Sequence, residues 1–198
     1  MSRTRPVAVA ITGGIGAGKS EALRAFARHG AAVVSSDEIV HHLLRRPEVK
    51  RAVIGRMGNG IVSPLDGEID RGALATVVFN DRAALTWLEE LLHPLVAAEY
   101  LEWRDQVAEL PDAPLVTVTE VPLLYESGAE ARFDKVVVIT APAKLRQARS
   151  VVATEDREKR LLDDREKGKR ADYTYTNTGS LEELDGFVAS VMHDLTSA

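Results

Sequence analysis

Eight residues in a row, Gly13-Gly14-Ile15-Gly16-Ala17-Gly18-Lys19-Ser20, spell G-x-x-x-x-G-K-S, a complete P-loop. A polyphosphate can lie against bare backbone N–H groups only where no side chain intervenes, which accounts for glycine at positions 13, 14, 16 and 18. A helix is predicted to begin near Lys19 and to add its unpaired N–H groups and positive dipole end. Lys19 is expected to reach the β- and γ-phosphates, and the Ser20 hydroxyl to ligate Mg²⁺. The expected ATP-binding stretch is Gly13, Gly14, Ile15, Gly16, Ala17, Gly18, Lys19, Ser20 and Glu21. The pattern implies a nucleotide-binding protein.

Two carboxylates could complete such a site. Asp37 closes Ser35-Ser36-Asp37 after the apolar run Ala31 to Val34. Spacing leaves it open as a helix N-cap, a functional carboxylate or both. Glu120 lies at the end of the apolar run from Leu115, the Walker-B arrangement in which an acid helps to hold Mg²⁺ directly or through water.

The elements that must position these residues read as follows. Val7 to Ile11 is a buried strand, and Ala22, Leu23, Phe26 and Ala27 form the apolar face of a helix that Gly30 stops. Ala31–Val34 is a second strand, Leu115–Val121 a third, Lys135–Thr140 a fourth and Tyr173–Thr176 a fifth. Between the second and third, residues 38–110 are helical in period, with breaks expected at Pro47, Gly58-Asn59-Gly60, Ser63-Pro64, Asp66-Gly67, His93-Pro94 and Pro111. That length exceeds what a crossover needs and reads as an inserted helical lobe. His41 and His42 are adjacent, make a poor metal pair and are taken as surface residues. Glu155 to Asp172 mixes acids and bases in balance: a solvated helix laced with ion pairs, or a lid whose arginines close over a triphosphate. Ser180 and Glu183 form a capping box for a last helix.

The 198 residues suit one domain with an inserted lobe, and 45% hydrophobic content supplies a core. A formal charge of −5 gives no overall attraction to nucleic acid or to an anionic membrane. Without cysteine, disulfides, thiolate zinc sites and cysteine nucleophiles are excluded. The N-terminal apolar run ends in the P-loop, too short for a signal segment, and no run matches a membrane span. A cytoplasmic enzyme, monomeric or a small homo-oligomer, is expected.

Taken together the motifs resemble the dephospho-CoA kinase family, P-loop kinases that phosphorylate the ribose 3′-hydroxyl of dephospho-CoA. The resemblance begins with Thr12 to Ser20 and continues through Asp37 with Ile39 and His42. It takes in Asp66-Gly67-Glu68-Ile69-Asp70-Arg71-Gly72-Ala73-Leu74, Leu92-His93-Pro94 and Val121-Pro122-Leu123-Leu124-Tyr125-Glu126-Ser127-Gly128. Lys167, Ala171-Asp172 and Asn177-Thr178-Gly179-Ser180 complete it. The resemblance implies an α/β P-loop NTPase fold: a five-stranded parallel sheet flanked by helices, an inserted acceptor lobe and a short lid. The core is expected at about 1–37 and 112–198, the lobe at about 38–111 and the lid at about 150–170.

It also implies ATP and dephospho-CoA as partners, Mg²⁺ as cofactor, and no role for nucleic acid or membrane. Catalysis would fall to Asp37 as base, with Lys19 and Arg149 on the phosphoryl group. Asn177 would contact adenosine, Asp37, Arg71 and His93 would bind the acceptor, and Ser20 and Glu120 the metal. Three departures from the family pattern stand out: Ser35 in place of a first aspartate, Glu120 in place of aspartate, and Ala153 in place of a second lid arginine, for which Arg157 or Arg160 would substitute. The alternatives are another small-molecule or nucleoside monophosphate kinase, or a non-catalytic nucleotide-binding relative. A small GTPase is disfavoured because no Asn-Lys-x-Asp motif occurs.

Overall fold

The computed structural model of the chain describes residues 5–149 and 162–197, Arg149 by its backbone alone. The chain divides into two units, one of Met1–Ser35 with Arg104–Ala198 and one of Ser36–Trp103. The first holds five parallel strands, β1 (Val7–Thr12), β2 (Ala32–Ser35), β3 (Val116–Glu120), β4 (Lys135–Thr140) and β5 (Tyr173–Thr176), in the order β2-β3-β1-β4-β5. Their near-continuous Val, Ile and Thr runs are what a parallel sheet covered on both faces requires. Val9, Ile11, Val116, Val118, Val137 and Ile139 pack with Phe26 of α1 (Lys19–Arg28) and with Leu184, Val188 and Val191 of a helix near the C-terminus. Ala10, Val136 and Val138 join Leu124, Tyr125 and Ala129 in a separate cluster.

The order places β1 between β3 and β4, so the chain leaves β1 on one side and later crosses it to the other. In sheets of this kind, ligands bind beyond the carboxyl ends of the strands at that reversal. Register fixes what meets there: Ile11 stands beside Glu120, and Glu120 beside Ser35. The P-loop therefore leaves β1 next to the acid that closes β3.

The helical unit contains α2 (Ser36–Leu43), α3 (Pro47–Met57), α4 (Arg71–Asn80) and most of α5 (Arg82–Glu109). Asp70 caps α4 by accepting from Gly72 N and Ala73 N. The break expected at His93-Pro94 is absent, because α5 runs through Pro94 without interruption. Proline inside a helix costs about 3 kcal/mol through its missing N–H. Buried Leu88, Leu92, Ala97 and Tyr100 on both sides of it offset that cost and hold the helix together.

After β4 come α6 (Ala143–Arg149), α7 (Asp164–Arg170) and α8 (Leu181–Thr196). Half of the expected capping box forms at α8. Ser180 Oγ accepts from Glu183 N at 3.2 Å, but the Glu183 carboxylate accepts from Thr178 Oγ1 at 3.0 Å. Residues 150–161 lie outside the described part of the chain, so the solvated-helix reading applies only to α7. There it needs correction, because Lys167 is fully buried, its Nζ 2.9 Å from Glu126 Oε1. Arg170 lies 4.2 Å above the Tyr125 ring and pairs with Glu130, so the segment after β3 grips α7. Glu126→Gln leaves that buried cation unpaired and is expected to cost about 3 kcal/mol, with most of the loss recovered when Lys167→Met is added. Urea titration of the single and double variants checks this.

α1 and α8 are joined at the surface by Asp185, which accepts from Arg28 at 2.8 Å and lies 3.0 Å from His29 Nε2. The hydrogen bond from Arg28, followed by that from His29, holds the Asp185 carboxyl below its usual value of 3.8. A carboxylate depressed in the folded state stabilises at pH above its unfolded value and loses that contribution as pH falls through the folded one. Asp185→Asn is therefore expected to lower Tm at neutral pH, with the gap to the parent closing as pH drops below about 4. Thermal scans across that range read it directly.

Candidate active site

The P-loop is clamped on two sides. Gly13 has φ 144°, and a Cβ there would fall 1.9 Å from the Ile139 carbonyl oxygen of β4. Gly16 has φ 72°, and its Cβ would come within 2.9 Å of the Arg146 carbonyl oxygen of α6. Only glycine fits either place. Gly18, at φ 99°, turns the chain into α1. The loop thus presents its backbone at the start of a helix, where N–H groups and dipole favour an anion.

Lys19 Nζ donates to the Gly14 carbonyl oxygen at 3.0 Å, folded back along the loop it is expected to serve. Ser20 Oγ donates to Glu120 Oε2 at 3.3 Å, and Glu120 is only 5% exposed. A hydroxyl and a buried carboxylate converging in this way are hard oxygen donors. They suit Mg²⁺, which takes one or two protein oxygens and fills its shell from phosphates and water. The residues present fit the ion.

Asn177 is buried and braces the loop. Its Nδ2 donates to Ala17 O at 2.9 Å and its Oδ1 accepts from Gly179 N at 2.9 Å, so the amide is spent tying the P-loop to the turn after β5. A cavity of about 510 Å³ lies there. Gly16, Gly18, Lys19 and Ser20 line it with Glu21 and Arg24 of α1, and Asn177, Gly179 and Leu181 with them. Leu181 is 63% exposed, an apolar surface of the kind a purine face covers. Sequence reasoning missed Arg24, Gly179 and Leu181. The signal for Leu181 was its place directly after the capping Ser180, at the first turn of α8. Glu21 does not face the loop unpaired: Arg24, at 2.7 Å, is the main cause of its lowered pKa, and Arg28 adds to it.

The acceptor candidates Asp37, Arg71 and His93 all belong to the helical unit. Asp37 is exposed and is the second residue of α2, inside its first turn. The N-cap reading is thereby corrected, since the helix already begins at Ser36. Arg71 opens α4 and His93 lies within α5, both exposed. His42 is exposed, and His41, four residues after Asp37 and on the same face of α2, is half-buried. Desolvation pushes its pKa down, and the charges of Arg45 and Arg71 push it further. That coupling gathers cations about the face of α2 that carries Asp37.

Arg149 is the last residue of α6, and its side chain lies outside the description. Arg157 and Arg160, with Ala153, lie outside the described residues altogether. No helix among the described residues is long and apolar enough to cross a membrane.

The family model for dephospho-CoA kinase matches residues 7–183 of the chain. A dephospho-CoA kinase from Protochlamydia amoebophila is 36% identical over 199 residues, covering 94% of this chain and 95% of the relative. Another from Symbiobacterium thermophilum is 38% identical, covering 88% of this chain and 75% of the relative. Among solved structures, dephospho-CoA kinase from Campylobacter jejuni superposes with a TM-score of 0.71 at 27% identity, over 96% of this chain and 97% of that one. The architecture is accordingly that of a P-loop kinase.

Proposed function

This chain belongs to the dephospho-CoA kinase family, and from that premise we propose that it transfers the γ-phosphate of ATP to the ribose 3′-hydroxyl of dephospho-CoA, giving CoA and ADP. The observation that carries the reading is the convergence of Lys19, Ser20 and buried Glu120 where a complete P-loop leaves β1. Phosphoryl transfer asks a protein mainly for positioning and for stabilisation of spread negative charge.

In the step itself the acceptor 3′-oxygen forms a bond to the γ-phosphorus as the bond to the β–γ bridging oxygen breaks. The hydroxyl proton passes to Asp37, and ADP leaves with the electron pair. Lys19 swings from the Gly14 carbonyl to the β- and γ-oxygens. Arg149, with Arg157 or Arg160, adds positive charge from the lid. Ser20 and Glu120 would hold Mg²⁺, which neutralises charge on the same oxygens when bound. Leu181 packs on adenine while Asn177 keeps the loop in place. Dephospho-CoA carries a pyrophosphate, and the cations Arg71 and Arg45, close enough to His41 to keep its ring neutral, suit that anion, with His93 alongside.

The helical unit is the acceptor lobe in this reading and residues of about 150–170 form the lid. The protein works in the cytoplasm as a monomer or small homo-oligomer, with neither nucleic acid nor membrane as partner. A formal charge of −5 supports the last point. Phosphorus NMR of the product tests the chemistry: a new monoester signal coupled to the ribose 3′ proton is expected. A phosphate attached at any other position would overturn the assignment.

A further inference from the structure

We propose that Arg146 is a phosphate-contacting residue of this site, and that Asp164 holds its place over the P-loop until the terminal phosphate of the nucleotide displaces it. The inference rests on the kinase reading above and adds to it a cation that neither the motifs nor the lid supply.

A Cβ built on Gly14 would fall 2.8 Å from Arg146 Nη1 and 3.1 and 3.2 Å from the two Asp164 carboxylate oxygens. Both charged groups therefore stand against this one residue of the loop. Gly14 is also the residue whose carbonyl oxygen takes the Lys19 ammonium at 3.0 Å. It marks the end of the loop where charge on the β- and γ-phosphates is to be met, and the Arg146 guanidinium is already there.

Arg146 is held in that position. It sits in the first turn of α6, its N–H donating to Pro142 O at 3.1 Å, and its backbone packs on Gly16. Its side chain is 22% exposed, so the planar fork has little room to wander. Asp164, the first residue of α7, is 24% exposed and lies 3.8 Å from Nη1. That spacing is beyond a hydrogen bond, so the pair is electrostatic and loose. Arginine binds phosphate oxygens through two parallel N–H bonds, a tighter arrangement than this one. A γ-phosphate arriving at Gly14 would meet two favourable charges, Lys19 and Arg146, and the repulsive charge of Asp164, and the loose pairing lets that carboxylate yield. ADP has no γ-phosphate and leaves the pair as it is.

Calorimetric titration of the full chain with ADP and with a β,γ-imido ATP analogue, both with Mg²⁺, tests this. Arg146→Gln is expected to lose affinity for the analogue by about tenfold or more while its affinity for ADP is unchanged. Arg146→Lys should restore part of the loss, and Asp164→Asn should bind the analogue more tightly than the parent. Turnover of Arg146→Gln should fall by about a hundredfold or more. If Arg146→Gln weakens both nucleotides equally, or neither, Arg146 is only a brace between α6 and the loop and the proposal is overturned. If Arg146→Gln does not fold, Asp164→Asn decides: an unchanged affinity for the analogue overturns the proposal. These titrations need no acceptor, so a parent that binds both nucleotides but fails with dephospho-CoA sinks the functional reading and leaves the Arg146 result legible.

Discussion

Asp37→Asn is expected to lower kcat by about two orders of magnitude or more while leaving affinity for ATP close to that of the parent. The separation follows from where the two functions reside. The P-loop, Ser20 and Glu120 belong to the sheet unit, whereas Asp37 is the second residue of the helical one, two residues past the end of β2. Asparagine keeps the shape of the side chain and cannot accept the proton of the acceptor hydroxyl. A purely structural account predicts something else. An acid in the first turn of a helix contributes about 0.3–1 kcal/mol through the dipole, which its amide would forfeit without touching turnover. Stopped-time assays at saturating dephospho-CoA, paired with nucleotide titration and a Tm measurement, separate the two. A kcat near that of the parent would remove Asp37 from the chemistry.

Gly13→Ala should be severely damaging for a change of one methyl group. The new Cβ would lie 1.9 Å from the Ile139 carbonyl oxygen, inside any permissible contact, and φ 144° is a conformation that alanine rarely adopts. Neither neighbour can step aside cheaply, because Ile139 belongs to β4, held between β1 and β5, and is paired in register with Tyr175. The loop or the strand must move, at an expected cost of about 3 kcal/mol or more and a Tm lower by about 10 °C. Nucleotide affinity falls with it, since the displaced segment is the phosphate cradle. Gly186→Ala supplies the control: nothing lies within 4 Å of its Cβ in mid-α8, so it should be neutral or stabilising by up to about 1 kcal/mol. Thermal denaturation of the two variants side by side reads the contrast.

How much of this was legible beforehand varied with how local the cause was. β4 could be read to the residue because Val136 to Ile139 is an apolar run bounded by Lys135 and by Ala141-Pro142. The P-loop declared itself because its constraints are backbone constraints, and glycine is their signature. Pro94 misled, since the penalty of proline is local but the burial that outweighs it comes from both ends of a long helix. Lys167 misled in the same way. It sits among charged neighbours in the chain, yet it is buried by Glu126, forty-odd positions earlier, and nothing in the local pattern separates it from Lys169, which pairs at the surface with Glu166. Arg146 was invisible to sequence reasoning that looked for lid arginines by motif. Its place over Gly14 follows from the packing of α6 on the loop rather than from any spacing along the chain. Asp37 lay between these cases: the residue was picked out, but its position one step inside the helix emerged only with the coordinates.

The most direct measurement is ADP release from MgATP with dephospho-CoA, AMP, CMP or no acceptor, with product mass determined in parallel. The account predicts ADP release only with dephospho-CoA and a product of the mass of CoA. Equal release with AMP or CMP, or none with any acceptor from a protein that binds ATP, would contradict it.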